Sequence, residues 1–572
     1  MKKAVLILLL FFLIFFVVPL HASAITDPRS VANNRFGIHI IDENDLDDAA
    51  KLLNSTGGDW GYVKFVIRES DRNHEKWQNI FDRMRQLHLI PIVRLATGTE
   101  GDAWKKPRED DINNWVDFLN SLNWVTENRY VVLFNEPNHA KEWGNNIDPG
   151  EYAWYLKEFS GKLKEKSPDF FILLAGLDAS APNASGYMDE MTFLNQMLEA
   201  EPDVLDYIDG WSSHSYPNPG FVGKPYDVGR GSIATFRWEQ QFLANKGKGD
   251  LPVFILETGW LHQEGKSLNP SLPTTETIAQ YYRQAYETTW NDYNVVAVVP
   301  FLLNYQDAPF DHFSWKKINS SEFTPIYTTV QELTKSVGAP KQKHAAEILT
   351  APFPAKMVIN SHYTVHVDIE NIGQSIVSAR DGWRVEIADL PAIFKVEISD
   401  LDNTEPFYRT RATFDMYTPE KTGDYPFTVM LKKDDEVITQ VPLQLTLIPP
   451  PNILVEAKVW FNRLAEGQDY AFLVYDDEEN VIYAEEHAVF EQGTNLFEKL
   501  YGVIPQRQYR LVLTKPYYLP RQVITTINET TTKVSFPQLL PFDPSNDGKT
   551  SLDDVSAFFK RPLETVGLIL AL

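Results

Sequence analysis

The chain has 572 residues, 78 acidic and 53 basic side chains, a net charge of −25 and no cysteine. That length exceeds one ordinary core and predicts about two to four domains. The charge argues against nucleic acid or an anionic membrane as partner, and the lack of cysteine excludes disulfides, thiolate metal sites and cysteine nucleophiles. Fourteen Trp and 25 Tyr are numerous; aromatic rings suit sugar faces, and core packing claims most of them in any fold.

Residues 1–24 read as a secretory signal. Lys2 and Lys3 form a basic start, Ala4 to Leu20 is apolar, and Ala22-Ser23-Ala24 is a small-x-small cleavage site. Export with cleavage after Ala24 is expected, placing the protein outside the cell or at its surface; an uncleaved anchor is the rival. From Phe36 to about Gly338, strand-like runs alternate with helical periods. The runs are 36–41, 62–67, 90–96, 130–136, 171–177, 208–216, 253–260 and 295–304. After the second, Trp77, Ile80, Phe81, Met84 and Leu87 keep the spacing of one helix face; after the third, Ile112, Trp115, Val116, Leu119 and Leu122 do the same. A helix over about 322–337, with Pro325 near its start, closes the set. Eight β/α units predict a (β/α)8 TIM barrel over residues 30–340. A doubly wound open sheet is the alternative, but its glycine-rich phosphate turn is missing.

Beyond Pro340 the period changes to two, as in Tyr363–Ile369 and Val441–Leu447. This predicts an Ig-like β-sandwich over 345–448. Pro449-Pro450-Pro451 is a stiff linker, and a second β module follows over 453–540. Neither module carries a catalytic constellation; each reads as a spacer or a carbohydrate-binding domain. In the tail, 541–560, Asp543, Ser545 and Asp547 take positions 1, 3 and 5 of a calcium loop, Gly548 takes position 6 and Asp554 position 12. Lys549 and Ser551 complete the candidate ligand set. A structural calcium is expected there, and no cofactor for catalysis. A solvated acidic turn is the plain alternative.

Chemistry concentrates at strand ends. The fourth run closes in Asn135-Glu136-Pro137-Asn138, and the seventh closes in Glu257. Two Glu at two strand ends meet the need of glycoside cleavage for an acid and a nucleophile. His214 and Tyr216 alternate on one face of the sixth run, where a tyrosine can hydrogen-bond a carboxylate nucleophile. His39 lies within the first run and is a further candidate for substrate binding. Trp260 and Trp315, with Trp211, are candidates for a sugar platform. Arg68 and Arg94 lie near the ends of the second and third runs. A buried Glu paired structurally with one of these arginines is the plain alternative.

These residues resemble clan A retaining glycoside hydrolases over about residues 30–340. Asn135-Glu136-Pro137-Asn138 is similar to family 39, and Glu257-Thr258-Gly259-Trp260 also occurs in families 5 and 17. The resemblance implies Glu136 as acid and then base, Glu257 as nucleophile and Asn135 on the sugar 2-hydroxyl, with poly- or oligosaccharide as substrate. Mutual repulsion of the two carboxylates would hold the proton on Glu136. Arg94 is the expected partner of the nucleophile. The tail resembles half a dockerin, with one loop where dockerins carry two, and implies a cohesin-like or cell-surface partner. A non-catalytic carbohydrate-binding or scaffold protein on the same barrel is the competing function.

Overall fold

The structure is a computed structural model and describes residues 25–570. The expected secretory signal, residues 1–24, lies outside these residues. The chain forms two compact units, one running to Lys343 with Gly373–Ser375, the other comprising His344–Ile372 and the chain from Ile376. No described helix is long and apolar enough to cross a membrane.

In the first unit, strands and helices alternate. The strands are β1 (Gly37–His39), β2 (Gly61–Arg68), β3 (Leu89–Ala96), β4 (Arg129–Leu133), β5 (Phe170–Leu174), β6 (Trp211–His214), β7 (Val253–Glu257) and β8 (Val295–Val298). Between and after them come α1 (Leu46–Leu53), α2 (His74–Gln86), α3 (Ile112–Ser121), α4 (Pro149–Lys166), α5 (Glu190–Ala200), α6 (Thr235–Asn245), α7 (Thr275–Glu287) and α8 (Pro325–Glu332). Each of the eight apolar runs overlaps one of these strands. Strands β1 to β5 form one parallel sheet and β6 to β8 a second. Single parallel bridges link Leu173 to Gly210 and Phe36 to Val298, continuing the order from β5 to β6 and from β8 back to β1.

Alternation along the strands separates two cores. Val63, Phe65, Ile67, Val93, Leu95, Val131 and Leu133 pack against helix residues such as Leu52, Trp77, Phe81 and Trp115. The opposite face carries Tyr62, Ile90, Ile92, Tyr130, Val132, Phe171, Leu173, Phe254 and Leu256. Strands buried on both sides read as continuous apolar runs. On the inner side, Tyr130 lies 4.9 Å from Phe171 and 5.5 Å from Phe254 between ring centroids. This aromatic layer covers that face, so polar groups gather beyond it, at the carboxyl ends.

Helix α8 is shorter than the expected 322–337. Thr324 is its N-cap, Pro325 opens it, and Leu333 turns extended. The Lys335 amine then donates to the carbonyls of Val330, Gln331 and Leu333 at 2.9, 2.8 and 3.0 Å. A cation on the last free carbonyls ends the helix as a glycine cap would. Burial brings this lysine down to about 8.

The second unit is all β up to the tail. One four-stranded sheet contains Ala346–Leu349, His362–Asn371, Arg409–Tyr417 and Lys395–Ile398; another contains Lys356–Val358, Glu436–Ile448, Gly423–Lys433 and Trp383–Ala388. Val365, Val367, Phe414, Val429 and Leu445 of these strands share one core. Further strands, among them Gly467–Tyr475 and Gln508–Lys515, contribute Phe472, Val474, Leu511 and Leu513 to the same cluster.

Candidate active site

The chain leaves β4 in a strained path. Phe134 and Glu136 have φ of 74° and 31°, in the left-handed region that non-glycine residues rarely occupy. Neighbours fix that path. The Glu136 amide donates to the Gly176 carbonyl at 3.1 Å, and the His139 amide donates to the Glu136 carbonyl at 2.8 Å. Fully buried Asn138 donates to the Asp178 and Met188 carbonyls, each at 3.0 Å, and accepts from the Asp178 amide at 3.2 Å. The last residue of the Asn-Glu-Pro-Asn motif is thus a clamp that aims Glu136. Strain of this kind persists only where the surroundings over-determine it.

Glu257 is the last residue of β7. Lys64, from the inner face of β2, meets its Oε1 at 2.8 Å, and the Tyr216 hydroxyl donates to Oε2 at 3.1 Å. Burial alone would raise this carboxyl, but Lys64 and then His214 outweigh it and hold the group well below the usual carboxylate range. Lys64 has no exposed side-chain surface, and burial lowers its own pKa against the pull of Glu257. The cation beside the nucleophile candidate is therefore Lys64 and not Arg94, which has no ion pair with Glu257 among the described residues. Lys64 is the one charge inside the run Tyr62–Ile67. A charge there requires a partner across the interior, and that was the available signal.

His214 joins the two acids. Its Nδ1 and Glu136 Oε1 are hydrogen-bonded at 2.8 Å, and the same nitrogen lies 3.7 Å from Glu257 Oε2. One oxygen of Glu136, one of Glu257 and a ring nitrogen of His214 lie within 4.8 Å of one another. Three such groups could also hold a metal ion, but a cation there would face the Lys64 ammonium already bound to Glu257. Gly176 makes room for the imidazole: a Cβ at this position would stand 2.2 Å from His214 Cδ2.

Around the pair opens a cleft of about 1010 Å³. His39, Arg94, Asn135, Glu136, Tyr216 and Glu257 line it, as do Arg68, Trp104, His139, Glu142 and Asp178, the last four without forewarning from the sequence. Asn135 donates to Glu142 Oε2 at 3.3 Å, and its Oδ1 is buried without a hydrogen-bond partner. Burial raises Glu142 to about 7, against the pull of Arg94. Burial pushes His39 well below its ordinary value, keeping it neutral. His139 Nε2 bonds Asp178 Oδ2 at 2.9 Å; burial disfavours its charge, but this carboxylate prevails and raises its pKa.

Trp260 and Trp315 do not form a sugar platform. Both are about 1% exposed and pack on Tyr282 at 4.9 and 5.0 Å. Trp260 spends its indole N–H on the Gly223 carbonyl at 2.7 Å, and Trp211 is equally buried. The tryptophan facing the cleft is Trp104, from a short hairpin after β3. A loop tryptophan has no periodicity to reveal it.

In the tail, carboxylate oxygens of Asp543, Asp547 and Asp554 lie within 4.8 Å of one another. Asp543 accepts from the amides of Asp547 and Gly548, and Asp554 from those of Ser545 and Ser551. The Ser545 hydroxyl joins Asp554 at 2.7 Å. Ser551 caps the helix Leu552–Lys560, and the Lys549 amide bonds Asp547 at 2.9 Å.

No protein-family model matches the sequence, and no curated protein matches it. Among solved structures, the chain is similar to a family 39 glycoside hydrolase from the gut symbiont Bacteroides cellulosilyticus WH2, at 14% identity over 68% of this chain and 82% of that one, with a TM-score of 0.38. It is also similar to a β-mannanase from Thermomonospora fusca, at 13% identity over 50% and 83% with a TM-score of 0.32. A third similar structure is an α-L-arabinofuranosidase from Thermotoga maritima, at 11% identity over 74% and 98% with a TM-score of 0.36.

Proposed function

We propose that the protein is an exported retaining glycoside hydrolase that cleaves O-glycosidic bonds of poly- or oligosaccharides, built on a (β/α)8 barrel. The two closing bridges support the barrel, and residues 1–24 support export. One observation carries the chemistry: a carboxylate held ionised by a buried lysine stands beside a second carboxyl at a distance suited to double displacement. Retaining pairs stand about 5–5.5 Å apart, and inverting pairs, which admit a water between acid and base, about 6.5–9.5 Å. One oxygen of each carboxylate lies within 4.8 Å of the other, a close approach that supports the retaining arrangement. Glu257 attacks the anomeric carbon while Glu136 protonates the departing oxygen. The glycosyl–Glu257 ester forms as the glycosidic bond breaks. Glu136, now a carboxylate, takes a proton from water, and the resulting hydroxyl displaces Glu257. Asn135, whose Oδ1 lacks a partner, faces the sugar. Proton NMR of the first-formed product is expected to show the anomeric configuration of the substrate; an inverted product would overturn the role of Glu257.

His214 touches both acids, so its placement controls them. Gly176→Ala is expected to push the imidazole aside and lower kcat on the order of 10²-fold, with a stability loss of about 1–3 kcal/mol. Kinetics and thermal melting measured together check it; wild-type kcat would show that His214 is not the positioning group.

We also read the tail loop as a structural calcium site. Its carboxylates and hydroxyls are hard oxygen donors, the set that calcium prefers, and three of the carboxylates already converge. Asp543, Asp547 and Asp554 would hold the ion. Calorimetric titration of the full chain should give saturable heat at millimolar calcium, and Asp547→Ala should remove it.

A further inference from the structure

The rim of the cleft over β2 and β3 carries charge that the hydrolytic steps do not use. Arg68 and Arg94 both line the cleft. The β2–β3 register pairs Val66 with Arg94 and Arg68 with Ala96, so the two arginines are diagonal neighbours on one face of the sheet. Like charges so placed repel. Nearby carboxylates would be the ordinary remedy, and the other cations of this region have them: Lys64 meets Glu257, and Lys76 meets Glu43 and Asp71. Among the described residues, neither Arg68 nor Arg94 has an ion-pair or hydrogen-bond partner, and the Arg94 Nε is buried without one. Glu142 lies close enough for Arg94 to act on it, but it bonds Asn135 and burial favours its neutral form. The cleft also holds carboxyl groups, among them Glu43, Asp71 and Asp178, yet none pairs with either guanidinium, which leaves both open to an anion from outside.

Trp104 supplies the rest. The guanidinium carbons of Arg68 and Arg94 lie 5.5 and 6.0 Å from the centroid of its ring. Contact with an aromatic ring restrains a guanidinium plane while leaving its N–H groups free to donate. A planar fork beside an aromatic ring suits a pyranose whose ring contacts the indole and whose substituent is a planar or tetrahedral oxyanion.

We propose that Arg68, Arg94 and Trp104 form a subsite for an anionic sugar unit, bearing a uronic-acid carboxylate or a sulfate ester, so that the substrate is an acidic glycan. The proposal rests on the glycosidase reading for the fate of the bound glycan, but not for binding itself. The full chain carrying Glu257→Gln, which cannot form the glycosyl-enzyme, is titrated calorimetrically with three oligosaccharides: a uronic-acid-containing one, the same one after carboxyl reduction, and a sulfated neutral one. An anionic ligand should bind about 10- to 100-fold more tightly than the reduced one, and tightness should fall with added salt. Whichever anion shows the gain identifies the natural group. Arg68→Gln and Arg94→Gln, each added to that chain, should each remove at least about tenfold of it. Arg68 is exposed, so its replacement leaves the core intact and its effect cannot be assigned to misfolding. Binding of both anionic ligands no tighter than that of the reduced one, or unchanged anion binding in both arginine variants, would overturn the subsite. Wild-type turnover is scored separately. Hydrolysis confined to neutral glycans overturns the subsite and spares the glycosidase; anion binding with no hydrolysis of any glycan does the reverse.

Discussion

Glu257→Ala is expected to remove hydrolysis of every substrate, lowering kcat on the order of 10⁵-fold or more, as loss of a covalent nucleophile does. No leaving group rescues it, since the ester to the sugar cannot form. Glu136→Ala should behave differently. An activated aryl glycoside departs with little protonation, so its first step survives while hydrolysis of the ester stalls. The signature is a burst of phenol followed by slow turnover. Azide should then restore turnover, because it attacks the ester without a base to activate it. The sugar azide formed with Glu136→Ala should retain the anomeric configuration of the substrate. If azide instead rescues Glu257→Ala, the two roles are exchanged.

The strands and the two acids are legible in the sequence because their signals are local. A strand covered on both faces is a continuous apolar run, and the eight runs stand out for that reason. A Glu where such a run stops is visible without knowing what it meets. Partners are not legible. Arg94 looks suitable for the nucleophile because it lies near a strand end, yet its place on β3 turns it toward Trp104. Lys64, two residues above Tyr62 on the same inner face, reaches Glu257 instead. Trp260 and Trp315 mislead because their abundance and motif say nothing of which side they face; the Gly223 carbonyl and the Tyr282 ring hold them inside. Glu142, His139 and Trp104 come from segments between strand and helix, where no period constrains the chain. The end of α8 depends on Lys335, which reaches back over carbonyls that no sequence window marks.

Lys64→Met tests the electrostatic core of the site, and its sign depends on pH. In the wild type, Glu257 has a folded pKa below its unfolded one. Its ionisation therefore stabilises the fold above the unfolded value, and that contribution is lost as pH falls through the folded pKa. Without Lys64, burial, already the largest single influence on Glu257, loses its main opponent, and the Glu257 pKa rises. A raised carboxyl reverses the sign: Lys64→Met should be least stable at neutral pH, by about 3–5 kcal/mol relative to wild type, and should recover part of the loss as acid protonates Glu257. Activity moves the other way. Only ionised Glu257 attacks, so kcat/KM should fall on the order of 10²-fold or more, and more at pH 5 than at pH 8, with an acid limb displaced upward from that of wild type. Adding Glu257→Gln to Lys64→Met removes the stranded charge and should return much of the neutral-pH stability while leaving hydrolysis absent. A general packing role for Lys64 predicts no such recovery and no displaced limb. Melting curves across pH for the single and double variants, with pH–rate profiles for wild type and Lys64→Met, distinguish these outcomes.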